Sequence, residues 1–367
     1  MQSVQPPDYR GGSLVNLVAE LEHRLIKSSE SARLHSHLAQ LIPNGTTYVL
    51  LLIDGLGSMQ LGHSAAAPLQ ASRAATIDAP FPSTTTVSWA TIATGLPASR
   101  HGLLGYQLYL PEAAGVIYTI KWTRPWGEAV ELNHREFLPA PNLWERLTAA
   151  GTEPITVQPG NFAGSHLSNV LFRGCRFEPV YSQDEMVAAT TQLAAVPGRL
   201  IVTYLPHIDV AAHVHGQESP EYEDAMKFVA GVWEQLEQRL PHNAVLLATS
   251  DHGHIDYPKS AAARIDRRHE KSHVFYGDSR VTFVRGPGVH LADELPATWL
   301  PLDAIRDWWG PGQRHHRFSE RAPDGVLVAD DGHILLHRYS DERMVGHHGG
   351  LSDAEKLIPL LVGRRPV

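Results

Sequence analysis

Three aspartates each follow an apolar run. Asp54 comes after Thr47 to Ile53 (TYVLLLI), Asp209 after Leu200 to Leu205 (LIVTYL), and Asp251 after Ala244 to Thr249 (AVLLAT). Histidines stand at informative offsets from them. His213 lies four residues beyond Asp209, His252 adjoins Asp251, and Gly346-His347-His348-Gly349-Gly350 places two imidazoles in a loop that glycine lets approach other groups closely. Three carboxylates gathered at one place would repel and resist ionisation, and divalent cations resolve that conflict. Mixed Asp/His ligation suits zinc first, with manganese or iron as further candidates. Any one such Asp is more commonly a turn or N-cap residue. A lone imidazole means little in a chain with 22 histidines. The joint pattern is what points to a metal site.

A source of nucleophilic hydroxyls follows at Phe81-Pro82-Ser83-Thr84-Thr85-Thr86-Val87-Ser88-Trp89. The bland reading is a Ser/Thr-rich N-cap before a helix. A helix N-terminus is also a phosphate site, and a hydroxyl held there beside a metal can be deprotonated near neutral pH. Residue chemistry alone leaves Ser83, Thr84, Thr85, Thr86 and Ser88 as equal candidates.

The elements that must position these groups read as α/β. Continuous apolar runs ending at Asp indicate strands buried on both faces. Tyr222, Met226, Val229, Trp233, Leu236 and Leu240 recur at helical steps, and Asn142 to Ala150 reads as a helix stopped by Gly151. Alternation of strands and helices predicts a mostly parallel sheet flanked by helices on both faces, whose ligand crevice lies at the carboxyl ends of the strands. Leu14, Leu17, Val18, Leu21 and Leu25 predict a packed helical region near residues 13–41. The texture changes between 257 and 345, where short strand candidates occur at Val281 to Val284, Gly325 to Val328 and Ile334 to Leu336. The predicted organisation is an N-terminal segment (1–43), a catalytic core (44–256 and 346–367) and an inserted smaller α+β cap (257–345).

The 367 residues suffice to bury a core without disulfides or metals, so a metal site here is chemical rather than structural. A net charge of -8 argues against a broad grip on a nucleic-acid polymer or an anionic membrane. Cys175 is the sole cysteine, and Met1 to Arg10 has no apolar segment of signal-peptide type, so a cytoplasmic enzyme is the expectation. Lys121, Trp122, Arg124 and Trp126 form a basic, aromatic stretch. Packing of such rings inside a loop outweighs ligand stacking by about two to one. Lys121 and Trp122 are nevertheless the candidates there for contact with substrate. His207, His215, His254 and His347 flank the proposed ligands and read as outer neighbours or solvated residues.

Asp54-Gly55, the segment Phe81 to Tyr106 (FPSTTTVSWATIATGLPASRHGLLGY), Asp209-x-x-x-His213, Ser250-Asp251-His252-Gly253 and Gly346-x-His348-Gly349 occur in an order that resembles the type I phosphodiesterase/nucleotide pyrophosphatase family of the alkaline phosphatase superfamily. The resemblance spans roughly residues 45–255 plus the last twenty or so. It implies that Thr85 is the nucleophile. It further implies one cation held by Asp209, His213 and His348, and a second held by Asp54, Asp251, His252 and the Thr85 oxygen. Many nucleotide pyrophosphatases carry Asn at the position of Ser88, donating to a non-bridging phosphate oxygen, so Ser88 is the expected substrate donor on a shorter arm.

The implied reaction is a double displacement on a small-molecule phosphodiester or pyrophosphate of nucleotide type, through phosphothreonine. A phosphomonoesterase or phosphomutase with the same metals is the alternative within the superfamily. A catalytically silent metal-binding module is the alternative outside it. A sulfatase is disfavoured, because its formylglycine derives from Cys or Ser and position 85 is Thr.

Overall fold

The computed structural model describes residues 5–364. Residues 1–4 and 365–367, parts of the expected N-terminal segment and core, lie outside the described residues. A seven-stranded sheet forms the centre, in the order Arg73–Asp78, Leu357–Val362, Ala244–Thr249, Thr47–Ile53, Arg199–Leu205, Glu153–Pro159 and Arg176–Val180. The five strands from Ala244–Thr249 to Arg176–Val180 pair in parallel. Leu357–Val362 runs antiparallel to both of its neighbours.

The apolar runs are explained by the pleat. Leu50 and Leu52 face one cluster with Leu200, Val202 and Leu247. Val49, Leu51 and Ile53 face the other with Ile201, Leu205 and Leu246. Side chains alternate between faces along a strand, so burial on both faces demands an apolar residue at every position. The first face is covered by helices Leu14–Ile26, Thr85–Thr94 and Leu143–Ala149; the second is covered by Gln183–Ala194, His207–His215 and Pro220–Arg239. Met226, Val229, Trp233 and Leu236 all lie on the buried side of the last of these, as their spacing predicts. No helix among the described residues is long and apolar enough to cross a membrane.

The helical region near 13–41 has two parts. Leu14–Ile26 stops at Lys27, whose φ of 60° is left-handed, and helix resumes only for the single turn Ser36–Ala39. The 257–345 segment contains a four-stranded antiparallel sheet, ordered Val274–Gly277, Val281–Arg285, Gly325–Ala329 and Ala297–Pro301. Ile334–Leu336 is not part of it and pairs in parallel with Ala262–Arg264 instead. One side of the small sheet has its own cluster with Phe275, Val284 and Leu327. Its other side, with Tyr276, Phe283 and Val326, joins the cluster that lies against the main sheet.

Trp309 is the centre of that junction. It is fully buried, meets Phe81 and Phe283 edge-on with ring centroids at 4.9 and 5.6 Å, and donates its indole N–H to Leu104 O at 3.0 Å. Phe81 opens the Ser/Thr-rich segment, so this packing ties the small sheet to the start of the helix Thr85–Thr94. Trp309→Ala is expected to cost about 3–5 kcal/mol of stability, as for other buried aromatic truncations. Urea denaturation followed by circular dichroism checks this; a loss below about 1 kcal/mol would mean that the junction carries little of the fold.

Candidate metal centre

The three aspartates arrive from three adjacent central strands. Asp54 directly follows the Thr47–Ile53 strand, Asp251 lies just beyond Ala244–Thr249, and Asp209 is the third residue of the helix His207–His215 that follows Arg199–Leu205. Backbone bonds fix the rim: Asp54 N–H donates to Leu205 O at 3.0 Å, and Asp209 N–H to Asp54 O at 3.2 Å. Gly55 is required here. Its φ is +77°, and a Cβ would stand 2.9 Å from the Asp209 Cα.

Two groups of side chains converge at this rim. Asp209, His213 and His348 form one, and Asp54, Asp251 and His252 the other; within each, the potential ligand atoms lie within 4.8 Å of one another. His213 Nε2 is 3.3 Å from Asp209 Oδ1, while His252 Nε2 is 3.4 Å from both Asp54 Oδ1 and Asp251 Oδ2. The His252 and His348 rings stack at 3.7 Å, so the two groups adjoin. Helical spacing gives Asp209 and His213 a common face.

The hydrogen bonds show which atoms are kept free. His213 Nδ1 donates to Gly346 O at 2.7 Å, His252 Nδ1 to Gly253 O at 3.0 Å, and His348 Nδ1 to Ser83 O at 2.8 Å. A carbonyl can only accept, so each imidazole holds its proton on Nδ1 and turns the Nε2 lone pair to the site. Each carboxylate likewise has one oxygen without a hydrogen-bond partner: Asp54 Oδ1, Asp209 Oδ1 and Asp251 Oδ2. The other oxygens of two of them are engaged. Asp54 Oδ2 accepts from the Tyr204 hydroxyl, and Asp251 Oδ1 accepts from the N–H groups of Gly55 and His252 at 3.1 and 3.0 Å. Buried polar atoms are normally paired. Three orphaned carboxylate oxygens beside these imidazoles could serve as the donor set of a divalent metal centre.

The electrostatics agree. Burial, then the charges of Asp251 and Asp209, push the Asp54 carboxyl well above its ordinary range. Burial alone would depress His213, but the adjacent Asp209 carboxylate overrides it and lifts the imidazole to about 9. Burial would raise Asp209, yet His213 holds it below the usual carboxylate range. Without metal, His213 therefore takes a second proton near neutral pH, on the side that faces the Asp209 carboxylate.

Thr85 is the first residue of the helix Thr85–Thr94, and its Oγ1 lies 3.2 Å from His252 Nε2. Ser83 clasps the loop that bears His348. Its hydroxyl donates to Gly350 O at 2.8 Å and accepts from Gly349 N–H at 3.2 Å. The site opens into a cavity of about 670 Å³ lined by Thr84, Thr85, Asp209, His213 and His348, and also by Lys121, Tyr106, Tyr118, Asp278 and the 339–344 loop.

Not every expected residue reaches this cavity. Ser88 is fully buried one turn into the helix and donates to Asp251 O at 2.8 Å, so its hydroxyl ties the helix to the ligand loop instead of pointing at substrate. Trp122 is also fully buried, edge-on to Phe137 and His134 at 4.7 and 5.2 Å; the packing role holds. Lys121, next to it, is exposed on the cavity wall. His207 packs on Phe228 at 4.1 Å, and His347 pairs with Ser279 Oγ at 2.8 Å. Tyr204 carries no signal in the sequence, and Ser83, a candidate hydroxyl there, serves as a tether of the His348 loop. Within LIVTYL and FPSTTT they read as strand and cap residues, and only their partners reveal their role.

A family model for type I phosphodiesterase/nucleotide pyrophosphatase matches residues 48–351. The chain belongs to the type I phosphodiesterase/nucleotide pyrophosphatase family. The match runs through 257–345, the stretch in which the sequence motifs were silent. Membership makes the chain a phosphoric ester hydrolase of the alkaline phosphatase superfamily. Solved structures agree in fold. Murine ectonucleotide pyrophosphatase/phosphodiesterase 5 is 18% identical with a TM-score of 0.62, covering 85% of this chain and 87% of that one. An inactive variant of the murine protein in complex with AMP gives a TM-score of 0.63 at the same identity and coverage. Phosphonoacetate hydrolase from Sinorhizobium meliloti, in complex with phosphonoacetate, is 19% identical with a TM-score of 0.63, covering 89% of this chain and 92% of that one.

For this family member, loading metal-free protein with zinc at pH 7.5 is expected to release protons, because the His213 imidazole, lifted to about 9 beside Asp209, must give its proton up to bind. An indicator dye in weakly buffered solution reads the release. Loading should also raise stability by about 2.7 kcal/mol per ion at a hundredfold excess over Kd, roughly 5 °C in Tm. Zinc that changes neither proton count nor Tm would refute the centre.

Proposed function

We propose that the protein cleaves small phosphodiesters or pyrophosphates of nucleotide type with two divalent cations, through a phosphothreonine intermediate on Thr85. The observation that carries this reading is the set of orphaned oxygens on Asp54, Asp209 and Asp251 beside the Thr85 hydroxyl. Asp209, His213 and His348 would hold one ion, and Asp54, Asp251, His252 and the Thr85 oxygen the other. Mixed oxygen and imidazole donors favour zinc over manganese or iron. Ions bound there would lower the pKa of the threonine hydroxyl and of water and offset charge on the phosphoryl oxygens.

The chain's own groups do the rest. Thr85 Oγ1 forms a bond to phosphorus in line with the departing ester oxygen, whose bond to phosphorus breaks. Water then attacks the phosphothreonine, and the Oγ1–phosphorus bond breaks in turn, giving net retention. Val87 and Ser88 N–H both donate to Thr84 O at 3.1 Å, whereas the N–H groups of Thr85 and Thr86 at the helix start are not capped by the Thr84 side chain and are suited to hold the phosphoryl oxygens. The approach of Thr85 Oγ1 to His252 Nε2 places the hydroxyl beside the ion that His252 would hold, and Ser88 keeps the helix against the Asp251 loop. The AMP complex of the murine relative supports a nucleotide-type substrate. Residues 257–345 are read as a cap on the core 44–256 and 346–367, with the segment 1–43 packed against that core.

A phosphomonoesterase is favoured by one feature, the exposed ammonium of Lys121 in the cavity, which could neutralise the extra charge of a monoester. Comparing turnover of bis-p-nitrophenyl phosphate and p-nitrophenyl phosphate decides between the two. The diester is expected to be the better substrate. Thr85→Ala should lose on the order of 10³-fold or more in kcat while retaining both ions by elemental analysis. Near-normal turnover in that variant would end the nucleophile assignment.

A further inference from the structure

A buried ion pair lies behind the metal loops. Glu355, in the single turn Asp353–Lys356, is fully buried. Its Oε1 accepts from Gly350 N–H at 2.9 Å, and its Oε2 accepts from Ser352 Oγ at 2.6 Å and from Arg280 Nε at 3.5 Å. Arg280, 4% exposed, follows the cavity-lining Asp278 and Ser279 and immediately precedes the strand Val281–Arg285. Its guanidinium lies 5.0 Å above the Tyr257 ring and donates to the carbonyls of His333 and Asp330.

The connections of this pair run to the site. Gly350 is two residues from His348 and abuts the carboxylate so closely that a Cβ would stand 2.7 Å from Glu355 Oε2. Ser279, next to Arg280, pairs with His347 at 2.8 Å, and Asp278 and Ser279 line the cavity. The other ligand loop is held differently, by Gly253 N–H donating to the backbone oxygen of Glu355 at 2.8 Å. A side-chain change at 355 would leave that bond in place. Burying two charges is a costly way to fill space, since apolar residues of similar volume often serve at least as well. A charged pair placed where it fixes one glycine loop and one cavity wall suits registration of the two.

We propose that Arg280 and Glu355 are positioning residues that set the affinity of the Asp209–His213–His348 cluster for its ion, acting through Gly350. The inference rests on the two-cation reading above and deepens it by making the two sites separately adjustable. The test is a competition titration with zinc alone against a chromophoric chelator, on wild type, Glu355→Gln, Arg280→Met and Arg280→Lys.

Wild type should show two binding steps. Glu355→Gln and Arg280→Met should weaken one step by roughly 10–100-fold, as loss of an outer-shell partner does elsewhere, and leave the other unchanged. Arg280→Lys, which keeps the charge, should recover most of the loss. Excess zinc should restore kcat on bis-p-nitrophenyl phosphate in the weakened variants. In a His348→Ala background, Glu355→Gln should produce no further loss at the remaining site. Unchanged affinities, or both steps lost in parallel with kcat not rescued by zinc, would overturn the proposal. If Glu355→Gln does not fold, the contrast between Arg280→Met and Arg280→Lys decides alone. Absence of zinc binding by wild type would overturn the two-cation reading itself, a different failure from equal affinities in wild type and variants.

Discussion

Mutual repulsion among Asp54, Asp209 and Asp251 is the constraint on which this structure depends. All three are buried at one rim of the sheet, 9% exposed or less. Removing charge from water is expensive, and placing like charges together compounds the cost. The fold tolerates the arrangement because protons and the His213 imidazolium can stand in when metal is absent. Divalent cations are the better solution, since each satisfies several donors at once. The site is therefore an electrostatic debt built into a stable scaffold, and the seven-stranded sheet with a core on each face is rigid enough to hold it.

Rigidity extends to the ligands' orientation. The three histidines are each turned by a backbone carbonyl, from Gly346, Gly253 and Ser83, so no side chain has to be ordered for that purpose alone. Glycine recurs because carbonyls and carboxylates approach the chain closely. Gly55 lets the Asp54 turn touch the Asp209 helix, and Gly350 runs against the Glu355 carboxylate. Ser83 joins the Ser/Thr-rich segment to the His348 loop by three hydrogen bonds, two through its hydroxyl and one through its carbonyl. Thr85 and the His348 loop are thus set by one network.

The small antiparallel sheet does more than cover the cavity. Its inner side, with Tyr276, Phe283 and Val326, shares a hydrophobic cluster with Leu50 and Val202 of the main sheet. Trp309 extends this contact to Phe81, at the head of the Ser/Thr-rich segment. The cavity walls and the Thr85 hydroxyl consequently rest on the same packed layer. Lys121 and Asp278 also line the cavity, Asp278 packing against Gly349 beside His348.

The sequence by itself determined the central strands and the placement of Asp54, Asp209 and Asp251 at or just beyond their ends. Those features are local: an apolar run long enough to be buried on both faces, and a carboxylate where it stops. Thr85 was legible through the family motif, while residue chemistry left five hydroxyls equivalent. Tertiary structure decided the rest. Ser88 and Trp122 have the right chemistry for substrate contact, yet helix phase and loop packing turn both inward. The strands Arg73–Asp78 and Leu357–Val362 enter the sheet through pairing between segments nearly 300 residues apart, which no local pattern encodes. Tyr204 and Glu355 acquire their roles from partners distant in the chain, Asp54 and Arg280. A sequence shows what a side chain can do; only the fold fixes what it faces.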